Sequence, residues 1–195
     1  DGKSDKLAPG MSVLVEGNKI TKIAKTITVP AGATVIDAKG RTMTPGLIDA
    51  HVHLIWNSSP AGMFNYPLDY LHALALKEAE ATLMRGYTGV RDISGPVLGI
   101  KKAIDEGLFS GPRIWSSGSG LSMTAGHADM NTANVVPREL GGPPQTDVEY
   151  SGLSVIANGV PAVLTAARLQ MRKGANFLKM YTSGAVTGVY DPLDI

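Results

Sequence analysis

In the stretch PGLIDAHVHL, residues 45 to 54, His51 and His53 stand two residues apart in an otherwise apolar run. Side chains two apart on a β-strand lie on one face, about 6–7 Å apart, so two imidazoles can converge on one metal ion. A pair of hydrogen-bonded core histidines has the same spacing, but a polar face backed by a uniformly apolar one favours the ligand reading. Leu47, Asp49, His51 and His53 are expected on the polar face. Ile48, Ala50, Val52 and Leu54 are expected on the other, packed under helices. A second candidate lies far downstream, in NFLKMYT, residues 176 to 182. Alternation puts Phe177, Lys179 and Tyr181 on one side, so Lys179 shares the histidine side if both strands belong to one parallel sheet. Spacing alone leaves Lys179 open between two readings. An ammonium has no lone pair for a cation and is costly to bury, and a lysine at a strand end also snorkels to solvent.

The elements that must hold these groups can be read from the apolar periodicity and its glycine stops. Residues 11 to about 44 suggest a small β module: Val13 and Val15 face Ile20 and Ile23 across a turn at residues 16 to 19, and a second strand pair is expected at Val35–Asp37 and Arg41–Met43. Strands follow at 47–54, 87–93, 113–117 and 176–182, with helices at 68–85, 97–106 and 161–173, each closed by a glycine (Gly86, Gly107, Gly174). Strands alternating with helices imply a parallel sheet of βα units. Residues 118 to 159 read as a long connection rich in Gly, Pro and Asn, a length that marks a functional segment.

Composition narrows the chemistry. The chain has 195 residues, 44% hydrophobic, with a net charge of +1 and no cysteine. A near-neutral chain gives no support for a nucleic-acid or anionic-membrane partner, and no apolar run approaches the roughly 18 residues of a membrane span. Without thiolates, a metal must be held by nitrogen and oxygen ligands. The histidines are His51, His53, His72 and His127; His72, among apolar helix residues, reads as structural. The absence of cysteine fits a cytoplasmic protein, or a periplasmic or secreted one after removal of a leader.

Four segments in order, PGLIDAHVHL, GYTGVRD, GHADMN and GANFLKMYTSG, resemble the amidohydrolase superfamily. Within it they are most similar to the imidazolonepropionase-like branch, which includes prolidase-like dipeptidases and carboxypeptidases. The resemblance implies an α/β fold: the N-terminal part, about four βα units, of a (β/α)8 TIM barrel at residues 45–195, preceded by a small β-sandwich module at residues 1–44. It implies a metal-dependent hydrolase that cleaves an amide or peptide bond, in a dipeptide or N-acyl amino acid, by a metal-bound hydroxide. His51 and His53 match metal ligands. Lys179 matches a lysine that reacts with CO2, the resulting carbamate bridging two divalent ions, expected to be zinc. His127 matches a catalytic histidine near the reacting carbonyl. Asp49 and Tyr181 are expected to line the site or orient its ligands, Asp92 is left open, and Arg91 and Arg113 are candidates for a substrate carboxylate.

A mononuclear ring-opening cyclic amidohydrolase or a deaminase is the alternative, and it lacks the bridging lysine. The family pattern also needs two later histidines and an aspartate that this sequence does not hold. The remaining C-terminal part of the barrel, in the same or a second chain, is therefore an expected partner, and this chain alone is expected to be inactive. The complete enzyme is expected to be a homo-oligomer. Residues 185 to 195 are expected to begin an active-site loop.

Overall fold

The computed structural model describes residues 4–56 and 64–184, so the loop expected at 185–195 lies outside the described residues. The chain divides into two compact units, Asp1–Pro45 and Gly46–Ile195.

In the first unit β1 (Ser12–Glu16) pairs antiparallel with β2 (Lys19–Ala24). Gly17, at φ +62°, takes the first position of the two-residue turn, where the hairpin needs a left-handed backbone. The second strand pair expected at Val35–Asp37 and Arg41–Met43 does not form. The Asp37 carboxylate accepts the Lys39 N–H at 2.8 Å, and Arg41 N–H bonds the Ala38 carbonyl at 3.0 Å. A local side-chain turn has displaced the ladder.

The second unit is built on three parallel strands in the order β3 (Leu47–Val52), β4 (Tyr87–Asp92) and β5 (Arg113–Ser116). Helices α1 (Leu68–Met84) and α2 (Leu98–Asp105) are the crossovers. On α1 the four-residue spacing of Leu71, Ala75 and Ala79 makes one buried stripe, which joins Ile100 of α2 and Val90 and Ile114 of the sheet in a single core. Each helix stops where a glycine takes a left-handed backbone, Gly86 at φ +96° and Gly107 at φ +76°.

The register of β3 corrects the expected faces. Ile48 pairs with Gly89, Asp49 with Val90 and Val52 with Asp92, so the register slips between Asp49 and Val52. Neighbours in a parallel ladder share a face. Asp49 therefore lies with Val90 on the side turned to the helices, and not with the histidines. Ile48 lies on the other side, 69% exposed, rather than under a helix. The Asp49 carboxylate accepts the His51 N–H at 3.0 Å, a turn inside the strand that accommodates the extra residue. After the slip, Val52 packs on the core, and His51 and His53 take the opposite face.

Residues 118–159 are not structureless as expected. They contain β6 (Gly120–Ser122), β7 (Ser154–Ile156) and α3 (Asp147–Tyr150), with β6 and β7 paired in parallel. Helix α4 (Gly159–Arg172) follows, with Pro161 in its first turn. The strand expected at Asn176–Thr182 is reduced to one parallel bridge, Met180 to Leu121. Leu121 N–H bonds the Lys179 carbonyl and Tyr181 N–H the Leu121 carbonyl, both at 2.9 Å. No described helix is long and apolar enough to cross a membrane.

Candidate active site

The site forms where β3, β4 and the Met180 segment end. The His51 and His53 rings lie edge to face with centroids 5.6 Å apart, and Trp56 packs 5.2 Å from His53. His53 Nδ1 is 3.2 Å from the Ser94 carbonyl. A carbonyl only accepts, so Nδ1 carries the proton and Nε2 keeps the lone pair. Burial holds the His53 imidazole below its ordinary pKa. The Ser94 carbonyl acts against this shift, while His51, Lys179 and His127 reinforce it through their charges. Those three groups lie near enough to His53 to act on its charge.

Lys179 Nζ stands 4.6 Å above the Tyr181 ring, and His127 also packs against that ring, with centroids 5.1 Å apart. Burial raises the Tyr181 pKa; a hydrogen bond with Ser94 opposes this, and the charge of Asp92 adds to it. The structure thus brings His51, His53, Lys179, His127 and Tyr181 into one cluster. The Asp49 side chain is turned to the helix side by the register slip, while its carboxylate holds the His51 N–H at 3.0 Å. Arg91 and Arg113 lie over the rings of Phe177 and Trp115, at 4.5 and 6.0 Å. His72 Nε2 donates to the Pro96 carbonyl at 3.0 Å, tying α1 to the loop after β4.

Two further residues belong to this region. Asp92, 0% exposed, accepts the Leu54 N–H on Oδ2 at 2.7 Å. Its other oxygen has no hydrogen-bond partner among the described residues, and burial pushes its pKa up to about 7 against the pull of the Leu54 N–H. Ser94 supplies the carbonyl under His53. An aspartate closing an apolar strand was a visible signal for the first; nothing in residue type marked the second.

The donor set fits part of a metal site. Two imidazoles converge, one with its tautomer set, and a lysine faces them. Among the described residues no three His, Cys, Asp or Glu side chains group closely enough to hold an ion.

A parallel βα sheet with imidazoles and an amine gathered where its strands end has the layout of a (β/α)8-barrel enzyme, here its N-terminal part. The chain belongs to the amidohydrolase family: the model described as "Amidohydrolase family" matches residues 42–194. Ochratoxinase of Aspergillus niger is 37% identical over 153 residues, which are 74% of this chain and 32% of that protein. The crystal structure of an amidohydrolase, 33% identical, superposes with a TM-score of 0.86 over 100% of this chain and 47% of its own. A prolidase complexed with N-methylphosphonate-L-proline, 32% identical, gives 0.83 over 93% of this chain and 44% of its own. The chain thus spans about a third of the length of ochratoxinase and just under half of these two solved chains.

Proposed function

We propose that this chain forms part of a metal-dependent amide hydrolase, with His51 and His53 as ligands of a divalent ion and Lys179, as its carbamate, bridging to a second. The observation that carries the reading is the cluster itself: two converging imidazoles, one held with Nε2 as the acceptor, facing a half-buried lysine. Likeness to a prolidase and to ochratoxinase supports it.

Lys179 lies over the Tyr181 ring near the His53 imidazole, and among the described residues no carboxylate forms an ion pair with it. Its amine adding to CO2 loses a proton and becomes an anion with two oxygen donors. Repulsion toward the imidazoles becomes attraction through shared cations. Zinc fits imidazole and carboxylate-type oxygen ligands. Bound there, a pair of such ions supplies Lewis acidity and lowers the pKa of a water.

The reaction adds water across the amide: a C–O bond forms, the C–N bond breaks, and the amine leaves with the proton. His127, packed against Tyr181, hydrogen-bonds the carbonyl oxygen as charge develops there. Tyr181 walls the site between His127 and Lys179 and excludes solvent. The remaining ligands and the acid–base group come from the rest of the family barrel. The substrate class is a dipeptide or N-acyl amino acid.

The test is metal content and intact mass of the protein and its Lys179→Ala variant, with hydrolysis of a dipeptide panel. In the complete enzyme that contains this chain, two zinc ions, the added mass of one CO2 and turnover are expected; with Lys179→Ala, one ion or none and no turnover. Full occupancy in Lys179→Ala overturns the bridging role. A loaded parent with unmodified Lys179 points to a mononuclear ring-opening hydrolase or deaminase.

A further inference from the structure

We infer that Ser94 is a positioning residue that sets the tautomer and aim of His53; the inference rests on His53 being a ligand and specifies what holds it. Ser94 is buried just beyond β4 with φ +94°. A residue with a side chain rarely adopts that backbone, and it persists only where the surroundings impose it. Here they do. The Ser94 N–H donates to Ser117 Oγ at 2.9 Å. Its hydroxyl donates to the Leu153 carbonyl at 2.6 Å and accepts the Gly120 N–H at 3.3 Å. Tyr181 lies near enough for its hydroxyl to interact with the same side chain.

Gly120 makes this closeness possible. A Cβ there would stand 2.8 Å from Ser94 Oγ and 2.5 Å from Tyr181 Cε2. Three separate segments, those of Ser117–Gly120, Leu153 and Tyr181, thus clamp one residue. The only remaining polar atom, the carbonyl oxygen, is turned to His53 Nδ1. A metal-binding histidine is commonly oriented in this way, by a partner on its other nitrogen. The clamp also couples the two halves of the cluster, because Tyr181 lies against Lys179.

The decisive variant is Ser94→Gly, which tolerates φ +94° and keeps the carbonyl but loses the hydroxyl that fixes it. Two readouts apply to the parent and the variant: the ¹⁵N shifts of the His53 ring in metal-free protein, and zinc affinity by chelator competition. The parent is expected to show a single Nδ1–H tautomer. The variant is expected to mix tautomers and to bind zinc about 10–100-fold more weakly. A lower thermal midpoint with unchanged tautomer and zinc affinity overturns the inference, since Ser94 then only supports the fold. A parent that binds no zinc overturns the ligand reading of His53, while the metal-free ring shifts still decide whether Ser94 sets that ring.

Discussion

On the face of the β3–β4–β5 sheet turned to α1 and α2, Val90, Asp92, Ile114 and Ser116 are at most 1% exposed; on the other face Ile48 is 69% exposed. The covered face is closed on itself. Its strand ends are stitched by side chains bonding backbone, Asp92 to Leu54 N–H and Ser116 Oγ to Gly118 N–H. The open face carries Arg91 and Arg113 over aromatic rings, and at its rim His51 and His53 meet Lys179. One face is packed by helices of this chain, and the other carries the candidate chemical groups at its rim. In a complete (β/α)8 barrel that second face is the packed interior, and the chemistry is confined to its C-terminal rim.

The largest effect should come from the rim. In the complete enzyme that contains this chain, His53→Ala is expected to remove amide hydrolysis to background while leaving the unfolding midpoint nearly unchanged, as read by turnover and circular dichroism together. A large fall in the midpoint would mean that the rim also holds the fold, and the contrast between the faces would fail.

Asp92 tests the covered face through pH. Its carboxyl is pushed up to about 7 from the ordinary 3.8. Between those values the folded chain keeps a proton that the unfolded chain has released, so stability falls as pH rises from about 4 to about 7. A shift of this size corresponds to roughly 4 kcal/mol across the window. Asp92→Asn keeps an oxygen for the Leu54 N–H and has nothing to titrate, so its urea-unfolding free energy should be flat over the same range. An equal slope in parent and variant would assign the pH dependence to another group.

The covered face was also the legible one. The α1 helix expected at 68–85 runs Leu68–Met84 and the α2 helix expected at 97–106 runs Leu98–Asp105, because apolar spacing and the glycine stops are both local signals. The slip after Asp49 was not legible, since an inserted residue leaves the alternation of side chains looking regular while it reverses their faces. The three-residue strands β6 and β7 are too short for any period to show. At the site, His51 and His53 stood out by type and spacing, whereas spacing left Lys179 open and only the resemblance singled it out. Ser94 could not be found in this way: what it offers His53 is a backbone carbonyl, held by contacts with residues 117, 120 and 153.

The smallest expected effect gives the cleanest comparison, because it uses the same substitution on both faces. Ile114, 1% exposed, lies in the core with Leu71 and Ala75, whereas Ile48, 69% exposed, lies beside Trp115 and Phe177. Ile114→Ala should destabilise by about 2–5 kcal/mol, the lost transfer energy plus the cavity left behind. Ile48→Ala should change stability by no more than about 0.5 kcal/mol, since its side chain gives up little contact with the rest of this chain. Urea unfolding of the two variants side by side measures the difference. If Ile48→Ala costs as much as Ile114→Ala, the inner face is covered in solution, and Arg91 and Arg113 are then buried beside it and need carboxylates from whatever covers them.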